Sequence, residues 1–149
     1  TDYAVEIFHA AIKEGKYECF LEEDTKLPMM YMDDAIKATI DLMTADKKSL
    51  KVRYGYNLFA MSFSPKEIAD EIRKHIPNFN ISYKPDFRQA IAKSWSESID
   101  DSTSRADWNW KPSYDLSSMT VDMLGRLNQN PSIVPPSLIA TNGASAFFY

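Results

Sequence analysis

The sequence LPMMYMDDA, residues 27–35, joins an apolar segment to the start of a helix. Pro28 breaks the preceding structure, and residues 29–32 are apolar enough to form a buried, extended segment. The two aspartates that follow supply an N-cap and a negative charge, both of which favour a helix N-terminus. We therefore predict a helix over residues 35–43. Its apolar face consists of Ile36, Ile40 and Met43.

Helix and strand patterns continue on both sides of this stretch. The most specific is SPKE, residues 64–67, in which serine is the N-cap, proline takes the first helical position and glutamate completes a capping box. Amphipathic patterns predict further helices that begin at Asp2, Phe87, Asp101 and Leu116. Alternating patterns predict strands at residues 17–21, 50–58 and 79–83.

The composition excludes several classes of function. Seventeen lysines and arginines against 21 aspartates and glutamates give a net charge of −4, which provides no electrostatic footprint for nucleic acid or an anionic membrane. No apolar run of about 18 residues is present to span a bilayer. The four glycines are far apart, so neither a dinucleotide-binding fingerprint nor a P-loop can be formed. One cysteine and two distant histidines do not make a zinc site, and no metal site is predicted.

Trp95 is the aromatic residue best placed to reach a ligand. It follows the predicted helix that begins at Phe87 and enters the polar segment 94–104, so it could contact a small molecule or pack in the core. Trp108 and Trp110 precede a turn, and we expect them to pack one end of the domain. The adjacent acidic residues of the chain lie in loops and caps, where a structural role is expected.

The chain divides into a globular part, residues 1–128, and a tail, residues 129–149. The length suits one domain with its own core. The tail contains three prolines and many small residues, and we expect it to be poorly ordered or to dock on a partner. The chain begins at Thr1 without an initiator methionine, which is typical of a piece of a larger protein.

Three segments together resemble the extended short-chain dehydrogenases and nucleotide-sugar epimerases. They are residues 27–35, the helix start at 64–67 and residues 101–112 (DSTSRADWNWKP). Within that group, the sequences of residues 1–8, 27–32 and 81–92 resemble those of the NAD-dependent L-threonine 3-dehydrogenases of the short-chain type. The resemblance covers residues 1–128. The matching segments identify the family when they are taken together, although no single motif would identify it alone.

Two positions depart from the family pattern. Leu27 and Pro28 stand where the family carries Arg-Asp, and that arginine suits a nucleotide-sugar diphosphate through its bidentate guanidinium. Its absence favours a small substrate without phosphates, as threonine is, over a nucleotide sugar. Asn109 stands where the family has glycine, and asparagine can adopt the same left-handed backbone conformation.

The resemblance implies an α/β fold, the C-terminal substrate-binding portion of an extended short-chain dehydrogenase of Rossmann type, with the N-terminal dinucleotide-binding part absent. None of the eight tyrosines is followed by lysine four positions later, so the family's catalytic Tyr-x-x-x-Lys pair is not in this chain. The resemblance therefore implies that NAD is bound mainly by the missing half. No catalytic and no cofactor-binding residue is predicted here.

As a complete family enzyme, the protein is expected to oxidise L-threonine to 2-amino-3-ketobutyrate with NAD, to form a homodimer and, by family resemblance, to be mitochondrial. Thr1 and Trp95 are the expected substrate-binding residues, although Thr1 could equally be only a helix cap. The chain alone is expected to be inactive. Two alternatives stay open: a truncated, non-enzymatic interaction module, and half of a nucleotide-sugar epimerase.

Overall fold

The computed structural model describes residues 2–129, which form six helices and four short strands. The helices are α1 (Tyr3–Glu14), α2 (Met32–Thr44), α3 (Pro65–Arg73), α4 (Phe87–Lys93), α5 (Ser102–Trp108) and α6 (Leu116–Gln129). The strands are β1 (Lys16–Cys19), β2 (Leu27–Met29), β3 (Met61–Phe63) and β4 (Asn80–Tyr83). Thr1 and the predicted tail beyond Gln129 lie outside the described residues.

The strands form two separate pairs. β1 and β4 are parallel, with Lys16 opposite Asn80. β2 and β3 are antiparallel, with Leu27 opposite Phe63. Helices α1, α3 and α6 contact one another, and α1 also packs against β1. The principal core consists of buried apolar residues from these elements, among them Ile7, Phe8, Leu21, Phe63, Ile68, Ile72 and Leu124.

Local helix signals predicted α1 and α3 correctly. The Asp2 carboxylate accepts the Ala4 N–H at 3.0 Å, and Gly15 ends α1 in the left-handed region with φ 66°. The predicted capping box is present: the Glu67 N–H donates to Ser64 Oγ, and the Ser64 N–H donates to Glu67 Oε2. These signals succeed because each cap is satisfied by residues within one turn of the helix end.

The predicted start of α2 was wrong. The helix begins at Met32, and its N-cap is Tyr31 rather than an aspartate. Asp34 is instead fully buried and accepts the backbone N–H groups of Ser113 at 2.7 Å and Tyr114 at 3.0 Å. The predicted apolar face of α2 lies largely in solvent, because the helix packs through Ala38 on a second cluster. That cluster contains Ala38, Trp108 and Trp110, with Leu42, Leu50, Tyr56 and Leu58 against it.

Residues 50–58 do not form the predicted strand, since no strand in the described part of the chain pairs with them. Asp107 holds this segment instead. One oxygen of its buried carboxylate accepts the Lys51 N–H at 3.1 Å and the Tyr56 hydroxyl at 2.8 Å, and the other lies 3.2 Å from the Lys51 ammonium. Two residues later, Asn109 adopts the expected left-handed conformation with φ 59° and ends α5 between the two tryptophans.

Replacing Asp34 should strongly destabilise the fold. Asp34→Ala leaves two N–H groups without a buried acceptor, and we expect the free energy of unfolding to fall by about 3 kcal/mol. The adjacent Asp33 is the matched control, because it forms only a partly exposed ion pair with Arg126. Asp33→Ala should cost less than about 1 kcal/mol in urea denaturation. If both variants lost the same free energy of unfolding, the structural role assigned to Asp34 would be wrong.

The Asp107 cluster should make stability depend on acidic pH. Burial by itself would raise the pKa of Asp107, but the hydrogen bonds from Tyr56 and Lys51 outweigh it and hold the pKa below its ordinary value of 3.8. A lowered pKa in the folded state stabilises the protein above the ordinary value, and this contribution disappears as the pH falls through the lower one. Asp107→Asn should therefore lower the melting temperature at pH 7, and its difference from the wild type should shrink as the pH falls below 3.8 toward the lowered pKa of the folded state. Asp24 is exposed, so Asp24→Asn serves as the control and should change the melting temperature little at either pH.

Candidate functional site

Helix α4 turns its apolar side chains to solvent. Phe87 is 75% exposed and Ile91 is 51% exposed, whereas Gln89 and Ala92 are buried. Trp95 is four residues beyond Ile91 and is itself 55% exposed. The backbone N–H of Trp95 donates to the Ala92 carbonyl at 3.1 Å, and this hydrogen bond continues the helical turn beyond the end of α4. Residues spaced by four share one helix face, so α4 carries an outward apolar face that ends at Trp95.

Gln89 fixes the loop opposite this helix. Its Oε1 accepts the Glu22 N–H at 2.9 Å, and its amide nitrogen donates to Thr25 Oγ1 at 2.8 Å. The Glu23 carbonyl accepts the Lys66 N–H at 3.0 Å, which ties the same loop to the start of α3. The loop of residues 22–26 is thus held from both sides, by α4 and by α3.

A cleft of about 210 Å³ lies between this loop and the end of α4, and Trp95 forms part of its wall. Charges of both signs line it. The Lys93 ammonium pairs with Glu22 at 2.8 Å, and Lys26 pairs with Glu67 at 3.1 Å just outside. Asp24 and Glu97 add two further carboxylates. An indole ring beside ammonium and carboxylate groups can bind a small ligand that carries both a positive and a negative charge.

A second, wider depression of about 420 Å³ lies between α1, β1 and the start of α4. Its charged groups satisfy one another. The Arg88 guanidinium is 3.4 Å from the centroid of the Phe20 ring and forms a double hydrogen bond with Asp86, whose pKa it lowers. The Tyr17 hydroxyl donates to Glu6 at 3.0 Å. Both surfaces contain paired charges, and the exposed indole of Trp95 is the feature that makes the smaller cleft the better candidate site.

Of the two predicted site residues, only Trp95 lies within the part of the chain that the structure describes. Trp95 lies half-exposed at the cleft, as a ligand-contacting residue must. Thr1 is outside the described residues, and its neighbour Asp2 caps α1 and does not line this cleft. Contact of Trp95 or Thr1 with substrate stays a prediction. Trp108 and Trp110 pack in the second cluster, as expected, with ring centroids 5.7 Å apart.

Sequence reasoning missed Gln89. The sequence does contain a signal for it. Gln89 and Ala92 lie on the face of α4 opposite Phe87 and Ile91, and it is this less apolar face that is buried. A periodicity search assigns the apolar face to the core, and here that assignment fails.

Within residues 2–129, no three His, Cys, Asp or Glu side chains are grouped to hold a metal ion. Cys19 is buried in β1, and burial raises the pKa of its thiol, so it is protonated at neutral pH. Over the same residues, no helix is long and apolar enough to cross a membrane.

Comparison with known proteins gives a consistent set of relatives, although no family model matches the chain. Mitochondrial L-threonine 3-dehydrogenase of Bos taurus is 51% identical over 125 residues, which is 83% of this chain and 33% of the bovine protein. An uncharacterized epimerase/dehydratase of Staphylococcus aureus is 50% identical over 134 residues, which is 89% of this chain and 42% of that protein. The chain thus spans between a third and a half of the length of these relatives.

Solved structures give the same result. L-threonine dehydrogenase from Phytophthora infestans superposes with a TM-score of 0.83 at 55% identity and covers 86% of this chain and 41% of that one. A monomeric L-threonine 3-dehydrogenase from a metagenome superposes with a TM-score of 0.81 at 50% identity and covers 85% and 41% of the respective chains. In both cases the larger part of the solved chain lies outside the match.

Removing the Gln89 side chain should loosen the loop at the cleft. Gln89→Ala deletes the acceptor of the Glu22 N–H and the partner of Thr25, so hydrogen exchange at Glu22 should accelerate and unfolding free energy should fall by about 1–2 kcal/mol. Gln129→Ala, at the exposed end of α6, is the matched control and should alter neither quantity. Unchanged exchange at Glu22 in Gln89→Ala would show that Gln89 does not hold the loop.

Proposed function

We propose that this chain, which belongs to the extended short-chain dehydrogenase family and matches the C-terminal part of its threonine-dehydrogenase relatives, forms the substrate-binding part of an NAD-dependent L-threonine 3-dehydrogenase. The observation that carries the proposal is the half-exposed Trp95 beside a cleft lined by both ammonium and carboxylate groups. Threonine, as a zwitterion with a small apolar methyl group, has the chemistry that such a cleft binds.

This chain's contribution is to bind and orient the amino acid. The indole of Trp95 covers the substrate's apolar side and excludes water from it. The family resemblance further assigns Thr1 to the contact with the polar groups of the amino acid. Neither role requires a titrating group in this chain.

The chemical step belongs to the remainder of the family enzyme. NAD bound there would supply the acceptor for the hydride of the threonine Cβ, and the family's Tyr-x-x-x-Lys pair would take the hydroxyl proton, so that the product would be 2-amino-3-ketobutyrate. The residues of this chain do not suit NAD binding, since its four glycines are dispersed and provide no phosphate-binding loop. The isolated chain is accordingly inactive.

Three observations bear on the two alternatives. The S. aureus relative is described as an epimerase/dehydratase, which keeps a nucleotide-sugar enzyme as the second candidate. Against it, Leu27 is buried in β2 and Pro28 follows it, so this position offers no guanidinium for a diphosphate. The exposed apolar faces of α2 and α4 support the other alternative, an interaction module without enzymatic activity.

The assembly and the compartment are further parts of the proposal. We propose that the complete enzyme is a homodimer, although the L-threonine 3-dehydrogenase from the metagenome is described as monomeric. A mitochondrial location follows the bovine relative, and it applies only to a source that has this organelle, because the S. aureus relative is bacterial.

Substitution of Trp95 tests the substrate role. The test enzyme joins this chain to the part of the P. infestans enzyme that lies outside the match. Trp95→Ala should raise the KM for threonine by about tenfold, because a packed aromatic contact of about 1.4 kcal/mol is lost, and should leave the KM for NAD within about twofold. Trp95→Phe should recover part of the loss.

The controls separate binding from folding. Val121→Ala, on α6 and away from the cleft, truncates an apolar side chain that is 53% exposed, against 55% for Trp95, and should leave both KM values unchanged. The isolated chain should form no NADH from threonine and NAD. Equal effects of Trp95→Ala on both substrates would make Trp95 a structural residue.

A further inference from the structure

Gln89 binds one wall of the cleft beside Trp95 without lining the cleft itself. The cleft is lined by residues of the loop 22–26 and of the stretch 92–97, and Gln89 is not among them. The side chain of Gln89 is buried, and its amide binds two points of the loop, the Glu22 N–H and the Thr25 hydroxyl. Gln89 is therefore placed to act on a ligand only through the loop.

The helix that carries Gln89 is anchored independently of the loop. Asp86 caps the first turn of α4 by accepting the Arg88 N–H at 2.8 Å, and the Asp86 N–H donates to the Phe20 carbonyl at 3.2 Å. The Arg88 guanidinium lies against the Phe20 ring. Ala92 shares the buried face of α4 with Gln89 and lies in the wall of the cleft. The helix is thus the anchored wall, and the loop is the wall whose position depends on Gln89.

Thr25 and Gln89 bind each other in both directions. The Thr25 hydroxyl donates to Gln89 Oε1 at 3.2 Å and accepts from the side-chain nitrogen of Gln89 at 2.8 Å. Since a hydroxyl has one proton, Thr25 has no donor left for a ligand in the cleft. Its part in the site is to hold the loop to α4.

The other link between the loop and α4 is weaker. It is the ion pair of Lys93 with Glu22, whose side chains are 59% and 50% exposed. Exposed ion pairs contribute about 0.2–1 kcal/mol, because water competes for both charges. Loss of a buried hydrogen-bonding group costs about 1–3 kcal/mol, because its former partners are left unpaired. The amide of Gln89 is therefore the link that determines where the loop lies.

We infer that Gln89 is a positioning residue that sets the width of the cleft, and thereby the size of the amino-acid side chain that binds beside Trp95. The identity of the ligand as a 3-hydroxy amino acid rests on the proposed function, whereas the control of cleft width does not. A site of fixed width discriminates against one additional methylene group by about 10–200-fold. A loosened loop loses this discrimination, because the wall can move to admit the larger group.

Substrate preference in the joined enzyme of the Trp95 test measures this control. The two substrates are threonine and 2-amino-3-hydroxypentanoate, in which an ethyl group replaces the methyl group of threonine. The wild type should prefer threonine by about tenfold or more in kcat/KM, and Gln89→Ala should reduce the preference to about threefold or less. The KM for threonine should rise about fivefold while kcat stays within about twofold, since binding and not the chemical step is affected.

Three further variants separate positioning from folding. Gln89→Asn keeps an amide on a side chain shorter by one methylene group, and it should also lose most of the preference. The effects of Gln89→Ala and Thr25→Val on the preference should not add, because both remove the same link. Thr120→Ala is the matched control for lost stability. Thr120 is fully buried on α6, donates to the Leu116 carbonyl at 2.7 Å and lies outside the cleft, so the variant should be less stable with an unchanged preference.

Tryptophan fluorescence of the chain alone reports the cleft without catalysis. Trp95 is half-exposed, whereas Trp108 and Trp110 are buried, so acrylamide quenches chiefly Trp95. In Gln89→Ala the quenching constant should rise and the emission should shift to the red, because the loop no longer lies close to the indole. In Thr120→Ala both quantities should stay as in the wild type.

The remaining outcomes separate this inference from the proposed function. If the joined enzyme oxidises threonine and Gln89→Ala keeps the preference, or Thr120→Ala loses it equally, the inference is overturned and the proposed function stands. If the joined enzyme does not oxidise threonine, the proposed function is refuted and the quenching result decides the inference. A higher quenching constant in Gln89→Ala but not in Thr120→Ala then supports control of the cleft by Gln89, and equal constants overturn it.

Discussion

The buried carboxylate of Asp34 is the interaction on which the arrangement of the domain depends. It receives the backbone N–H groups of Ser113 and Tyr114, and so it joins the first turn of α2 to the segment between α5 and α6. The ring of Tyr31 packs edge-on to Tyr114, and its hydroxyl donates to Asp122 of α6 at 2.7 Å. The tryptophan cluster and the principal core are therefore connected at this junction, and both helices take their positions from it.

Sequence patterns predicted those parts of the fold that are determined locally. The caps of α1 and α3 and the left-handed Asn109 are each fixed by residues within a few positions, so short motifs were sufficient. Asp34 looked like a helix cap for the same local reason. Its actual partners are about eighty residues away, and no pattern near residue 34 reports them. The missing strand at residues 50–58 is a similar case, because strand sequence produces a strand only when a neighbour pairs with it.

The candidate site was predictable only in its aromatic residue. Trp95 was found because a tryptophan in a polar segment is unusual, whereas Gln89 was missed because a buried amide on an outward-facing apolar helix contradicts the ordinary rule. The two exposed helix faces differ in character. The α4 face ends beside charged groups and suits a small polar ligand, while the α2 face is aliphatic and continues into unpaired backbone. The domain thus has one surface with the chemistry of recognition and another with the chemistry of a domain core.

The parallel pairing of β1 with β4 has a consequence for how the chain folds. The paired residues are more than sixty positions apart, and α2, β2, β3 and α3 all lie between them. Closing so long a loop costs conformational entropy before any strand contact is made, so we expect this pair to form late in folding. During synthesis, β1 has no partner until residue 83 has left the ribosome. We expect this nascent stage, in which the edge of β1 is unpaired, to be the one most open to aggregation and to chaperone binding.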